Sequence, residues 1–174
     1  MAKYVFADPH FYSEKIIALG ERPFTSVSQM NKTIIQNYNS VINSQDICYW
    51  LGDIMYDASQ DKVRKILAQM RGRKYLILGN HDRNHSVTWW EKCGFDRVSD
   101  IPLYDMENYI LFSHEPLEEF GSNPPIVNYH GHIHIQEYDF ENHDCSINAC
   151  LEKTDYKPIL AINPFIKEKR KFSR

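Results

Sequence analysis

The sequence predicts an α/β fold, mixed with α+β character, in which two β-sheets share one core. Three observations point there. The first half alternates short apolar runs with helical periodicity and reads βαβαβα, the pattern of a mostly parallel sheet with helices packed on it. The second half is a series of short strand-like runs with little helix between them. A length of 174 residues suits a single domain, here residues 1–174, large enough to bury a core without disulfide or metal staples.

Each element has a local reason. Tyr4 to Ala7 is a first strand. From Ser28 to Ile42 the apolar residues Met30, Ile34, Ile35, Tyr38, Val41 and Ile42 recur at helical spacing. Ile47 to Leu51 is a second strand. Ser59 to Met70 places Val63, Ile66, Leu67 and Met70 on one helix face. Tyr75 to Leu78 is a third strand, and Ser86 to Cys93 a short helix with Ser86 as its N-cap. Phe95–Val98, Leu103–Met106, Tyr109–Phe112, Ile126–Tyr129 and Cys145–Ala149 follow as strands. Glu107-Asn108 forms a tight hairpin turn, residues 115–125 an irregular surface segment and Asn123-Pro124-Pro125 a loop. Leu160–Ile162 is a last strand, and Asn163-Pro164 starts a final helix.

Composition narrows the function classes. Apolar residues make up 43% and charged residues 25%, which fits a globule and excludes wholesale disorder. A net charge of -3 argues against long nucleic acid as a partner. No apolar run reaches the length of a membrane span, and the N-terminal stretch lacks a secretory h-region, so a cytoplasmic protein is expected, with no membrane partner. Cys48, Cys93, Cys145 and Cys150 are widely spaced and read as reduced thiols. The basic cluster Lys167-Glu168-Lys169-Arg170-Lys171 reads as a solvated tail, with a contact for an anionic partner as the alternative. Monomer and dimer are both open.

The most informative feature is where the polar residues sit. Five apolar runs end in a residue able to bind metal: Asp8 and His10 after the first, Asp53 after the second, Asn80, His81 and Asp82 after the third, His114 after Tyr109–Phe112, and His132 and His134 after Ile126–Tyr129. Ligands of open α/β sheets gather beyond the carboxyl ends of the strands, so these side chains converge if the strands hold. Carboxylate, amide oxygen and imidazole suit Mn²⁺, Fe, Zn²⁺ or Ni²⁺. Seven such ligands (Asp8, His10, Asp53, Asn80, His114, His132, His134) suit two adjacent metals better than one. Two metals about 3.5–4 Å apart can hold a bridging hydroxide and clamp the attacking and leaving oxygens of a phosphoester. Gly52, Gly79 and Gly131 each precede one of these ligands, as close backbone approach would require. His130 reads as structural and His85 as outside the site. The aromatic pairs Tyr49-Trp50 and Trp89-Trp90 read as core, with one of Trp89 and Trp90 at a rim; a base-stacking platform is the alternative.

Asp8-Pro9-His10, Gly52-Asp53, Gly79-Asn80-His81-Asp82, His114 and Gly131-His132-Ile133-His134 resemble, in order and spacing, the motif set of the calcineurin-like metallophosphoesterases. The stretch at Arg22-Pro23-Phe24 resembles the small bacterial and phage branch of that superfamily. The resemblance implies a four-layered αββα sandwich of two mixed β-sheets flanked by helices. It implies Asp8, His10 and His134 as ligands of a first metal, Asn80, His114 and His132 of a second, and Asp53 as the bridge. His81 matches the leaving-group acid, and Asp82 the residue that orients and charges it. Many members continue the second motif as Gly-Asp-x-x-Asp-Arg. Here Gly52-Asp53-Ile54-Met55-Tyr56-Asp57 sets the second Asp one position late with no Arg after it, which weighs against protein-phosphatase activity; Arg83 reads as a solvated loop residue, with compensation for the missing Arg as the alternative. The expectation is a dinuclear hydrolase of small phosphodiesters, with two divalent ions, Mn²⁺ foremost. A phosphomonoesterase, a non-catalytic metal-binding scaffold and a nucleic-acid binder using the basic tail are the alternatives.

Overall fold

A computed structural model of the chain describes residues 1–118, 125–137 and 145–166. The elements in order are β1 (Lys3–Phe6), α1 (Lys15–Leu19), α2 (Val27–Val41), β2 (Ile47–Trp50), α3 (Gln60–Leu67), β3 (Arg73–Ile77), α4 (Val87–Cys93), β4 (Arg97–Ser99), β5 (Leu103–Asp105), β6 (Ile110–Phe112), β7 (Val127–His130), β8 (Ser146–Asn148) and β9 (Ile159–Leu160). Three helices start at serines whose hydroxyls accept from the amide three residues on, in the first turn: Ser26 from Gln29, Ser59 from Lys62 and Ser86 from Trp89. Each such cap offsets an orphan donor and stabilises its helix by about 1 kcal/mol. α1 is five residues long with no side-chain cap, too short to show a period in the sequence.

Sheet I runs β4-β3-β2-β1-β9, with β1 to β4 parallel and β9 antiparallel to β1. Sheet II runs β5-β6-β7-β8, where β5 and β6 form the expected hairpin and β6, β7 and β8 are parallel. Strand alternation splits the core in two. Phe6, Cys48, Trp50, Leu76 and Leu78 face the helices, against Ile16, Met30, Ile34, Tyr38, Val63, Ile66 and Trp90. Val5, Ala7, Tyr49, Leu51 and Ile77 face sheet II, against Ile110, Phe112, Val127, Tyr129 and Ala149. Tyr49 stacks on Phe112 across that interface, 3.9 Å between centroids and 8° between planes. A parallel bridge between Ala7 and Cys150 joins the sheets at their edge.

These are two mixed sheets with helices, as the sequence leads one to expect. Among the described residues the helices all pack on sheet I. On the outer face of sheet II, Leu117 N in the segment after β6 donates to Asn128 Oδ1, and Asn128 Nδ2 donates to Ser113 Oγ. No described helix is long and apolar enough to cross a membrane. Trp50 and Trp90 are fully buried and Tyr49 nearly so, so they serve the core and not a stacking platform. Trp89 lies at the rim, stacked on His85 at 3.7 Å. All four cysteines are free thiols. At the expected final helix, Asn163 Oδ1 accepts from Phe165 N and makes a turn; the rest of that helix, the basic cluster and most of the Asn123-Pro124-Pro125 loop lie outside the described residues.

Candidate metal centre

Because β1, β2 and β3 are parallel, their carboxyl ends share one edge, and β6 and β7 bring theirs to it from sheet II. The loops leaving those ends are laced together. Asp8 N donates to Gly52 O, His10 N to Asp53 O, Phe11 N to Ile54 O and Gly131 N to His114 O, at 2.8–3.2 Å. All seven expected ligands lie at this edge in two groups.

Five of the seven have a left-handed backbone: Asp8 (φ 54°), His10 (45°), Asp53 (53°), His132 (73°) and His134 (50°). Each such non-glycine residue costs about 1–3 kcal/mol, and clusters of them mark functional sites. The glycines give them room. Gly52 has φ 87°, and a Cβ there would lie 2.6 Å from His114 Nδ1. A Cβ on Gly131 would collide with Asp8 Oδ2, and one on Gly79 with Asp53 Oδ1.

The first group is Asp8, His10 and His134. His10 Nε2 and His134 Nε2 lie 3.9 and 4.0 Å from Asp8 Oδ1, and His10 Nε2 lies 3.6 Å from Asp53 Oδ2. Asp8 Oδ1 and His10 Nε2 are buried with no hydrogen-bond partner. An orphaned buried polar atom costs about 1–3 kcal/mol, and a cation between these two removes both penalties. Burial holds His10 well below the usual histidine range, with the neighbouring His134 and Arg22 adding to it; neutral imidazole is the metal-binding form.

The second group is Asp53, His114 and His132, with Asn80 among them. His114 Nδ1 faces the Leu51 carbonyl at 2.7 Å, so in the neutral ring it carries the proton and Nε2 has the lone pair. That lone pair faces Asn80 Oδ1 at 2.9 Å and Asp53 Oδ1 at 3.6 Å. Acceptors turned on one another in this way call for a cation between them. His132 Nδ1 completes the group, 3.0 Å from Asn80 Oδ1 and 3.1 Å from His114 Nε2. Asp53 turns one oxygen to each group. The residues therefore fit divalent metal ions.

A buried layer behind the ligands fixes their orientation. Asp8 Oδ2 accepts from His132 N at 2.9 Å and from the Cys150 thiol at 3.3 Å, which leaves Oδ1 for the centre. Burial and the adjacent Asp8 and Glu152 charges push the Cys150 thiol well up, so it stays a donor. His134 Nδ1 meets Glu152 Oε1 at 3.0 Å, which directs Nε2 to the first group. Arg22 holds Glu152 through Nε and Nη2, both at 2.8 Å, and reaches Asp8 O and Pro9 O at 2.7 and 3.0 Å. Burial raises Glu152, but the His134 hydrogen bond and the Arg22 charge outweigh it and hold the carboxyl low. His134, Cys150 and Glu152 also lie close enough to suggest a third metal group. His134 meets them with the nitrogen that faces away from the centre, and they act as its support. Sequence reasoning missed this layer. Arg22 had a signal in Arg22-Pro23-Phe24; Cys150 and Glu152 had none.

His81 stands at the rim. Its side chain is 36% exposed, with Nε2 3.8 Å from Asp53 Oδ2. The resemblance implies that Asp82 orients this ring, and here the structure corrects the expectation. The Asp82 carboxylate is fully buried and accepts from the amides of Asp53 (2.7 Å), Gly79 (2.9 Å) and Ile54 (3.0 Å). It pins the β2 and β3 loops to each other. The 3-10 turn at Asp82–Asn84 aims its side chain into the protein, where bare amides outcompete a solvated ring. His85 bonds Ala58 O and His130 is buried in β7, both apart from the two groups. Arg83 is exposed.

The family model described as "Calcineurin-like phosphoesterase" matches residues 1–172. An uncharacterised protein of Methanocaldococcus jannaschii is 34% identical over 161 residues, covering 90% of this chain and 85% of that protein. The Gene 66 protein of Mycobacterium phage L5 is 29% identical over 109 residues, 52% of each chain. The crystal structure of a protein of unknown function from Aquifex aeolicus superposes with a TM-score of 0.71 at 27% identity, covering 91% of this chain and 95% of that one. With two mixed sheets, two imidazole–carboxylate groups at their shared edge and a family match along nearly the whole length, this chain belongs to the calcineurin-like phosphoesterase family.

Proposed function

We propose that the chain is a dinuclear metal-dependent hydrolase of small phosphodiesters. The observation that carries the reading is Asp53, whose two carboxylate oxygens face different ligand groups, Oδ2 towards His10 and Oδ1 towards His114. One ion would be held by Asp8, His10, His134 and Asp53, the other by Asp53, Asn80, His114 and His132. When bound, such ions supply Lewis acidity and an acidified water, and Mn²⁺ is the leading choice for this nitrogen and oxygen set.

The remaining work falls to the protein. Asp82, by tying Gly79 to Asp53 and Ile54, keeps the bridging carboxylate and His81 in fixed relation. His81 is the polar group at the rim with a free approach to substrate, and it assists the leaving oxygen by hydrogen bonding or proton donation. Among the described residues that line the cleft beside the centre, the cations are Lys15 and Lys62, both exposed, and none is an arginine. A monoanionic diester asks less of such a site than a dianionic monoester does, which favours the diester.

The test is hydrolysis of a chromogenic phosphodiester beside its monoester, on chelator-stripped protein with Mn²⁺ added back. Metal-restored turnover, faster on the diester, is expected. Two bound ions per chain with no turnover of either ester would refute the reading.

A further inference from the structure

We propose that the cleft beside the centre is a subsite for the organic arm of the ester, and that this arm is a planar aromatic ring of nucleobase size. The inference rests on the phosphoesterase reading and adds which ester is taken. A cavity of about 650 Å³ opens against His10, His81 and His134, within the range of small-molecule sites. Its outer walls include Tyr12, Leu19, Tyr56 and Ile135. These four large apolar residues are exposed by 43, 74, 56 and 37%. Gathered on one cleft, they form a patch that marks a ligand surface, unlike scattered surface residues.

The two tyrosines are placed deliberately. Tyr12 sits at φ 64° with its amide donating to buried Asn31, while its neighbour Phe11 is fully buried. Strained backbone thus turns one aromatic inward and presents the next to the cleft. The Tyr56 ring lies 5.2 Å from that of His81, so a ring bound on Tyr56 belongs to a group attached close to the scissile phosphate. Each tyrosine has an ammonium near its face, Lys62 Nζ 5.9 Å from the Tyr12 centroid and Lys15 Nζ 5.9 Å from that of Tyr56. Aromatic faces with ammonium groups beside them suit a stacked base whose attached sugar carries an anionic phosphate. Glu14 and Asp57 line the same cleft, which fits a single nucleotide unit and repels a polyanion.

Binding is tested first, by calorimetric titration of the Mn²⁺-loaded full chain with AMP and with ribose 5-phosphate, which differ only in the base. AMP is expected to bind about tenfold or more tightly. The Tyr12→Ala/Tyr56→Ala double variant is expected to bring the two ligands together, and the Tyr→Phe double variant to keep the difference. Hydrolysis is compared with the methyl esters of the same two phosphates, followed by chromatography; the kcat/KM ratio between them should collapse in the alanine variant. Metal content and melting temperature verify the folding of each variant. Equal affinity of the wild type for AMP and ribose 5-phosphate overturns the subsite. Selective AMP binding with no metal-dependent hydrolysis of either ester keeps the subsite and refutes the phosphoesterase reading. Hydrolysis of both esters without base preference does the reverse.

Discussion

Removing the Glu152 carboxylate probes the buried support behind His134. The Arg22 and Glu152 side chains are 0% and 2% exposed. Glu152→Ala leaves the guanidinium buried with two backbone carbonyls and no counter-charge. Breaking a buried pair from one side costs about 3–5 kcal/mol. At roughly 2–4 °C per kcal/mol for a chain of this size, the melting temperature should fall by about 6–20 °C. His134 loses at the same time the acceptor 3.0 Å from its Nδ1, and with it the constraint that points Nε2 at Asp8. Loss of such a support costs about 10–100-fold in metal affinity. The effect is confined to one group, because Asn80, His114 and His132 make no contact with Glu152. Metal content is measured after dialysis against graded free Mn²⁺. The variant should lose one ion at concentrations where the other stays. Glu152→Gln, which keeps an acceptor for His134, should lose stability but hold metal more nearly as wild type does. Equal loss from both groups, or unchanged affinity with a normal melting temperature, would refute the argument.

His81→Ala should lower kcat by about 10²–10⁴-fold with both ions retained; if metal is lost along with activity, His81 is a ligand and not a leaving-group acid. Gly131→Ala places a Cβ against Asp8 Oδ2, in a segment fixed by the bond from Gly131 N to His114 O. It should cost about 1–3 kcal/mol and empty the Asp8 group first; wild-type metal content would show that the loop can shift. The amides of Ala2 and Asn43, at 2.8 and 3.0 Å, hold the Asp46 carboxyl below the usual carboxylate range. Its stabilisation is therefore complete above the unfolded-state value of about 4 and is lost as pH falls through the folded value. Melting temperature should drop more steeply on the acid side in wild type than in Asp46→Asn, and parallel acid limbs would contradict this.

Much of the site could be read along the chain because its ligands are strand-terminal. A parallel strand that ends in Gly-Asp or Gly-Asn-His-Asp delivers its polar residue to a known edge whatever the rest of the fold does, and this places Asp53, Asn80 and His81. The helices read as Ser28–Ile42 and Ser59–Met70 were legible from their period, and the one after Ser86 from its cap, because both signals depend only on neighbours in sequence; the Ser26 cap was not read. α1 was not, because five residues cannot display a period.

Other features have no local signature. The direction of the Asp82 carboxylate depended on which donors lay nearest once β2 and β3 were paired, and three bare backbone amides outcompeted the histidine beside it in sequence. Glu152 lies 130 residues from Arg22, and nothing in its surroundings marks it as support for a ligand. The cleft between Tyr12 and Tyr56 exists only because the β1 and β2 loops rise side by side. The sequence by itself determined which atoms could bind metal and at which end of the sheets they would stand, because strand direction and residue chemistry are local. Tertiary structure alone decided which oxygen of Asp8 and which nitrogen of His134 face the centre, because those choices are made by buried hydrogen bonds between segments far apart in the chain.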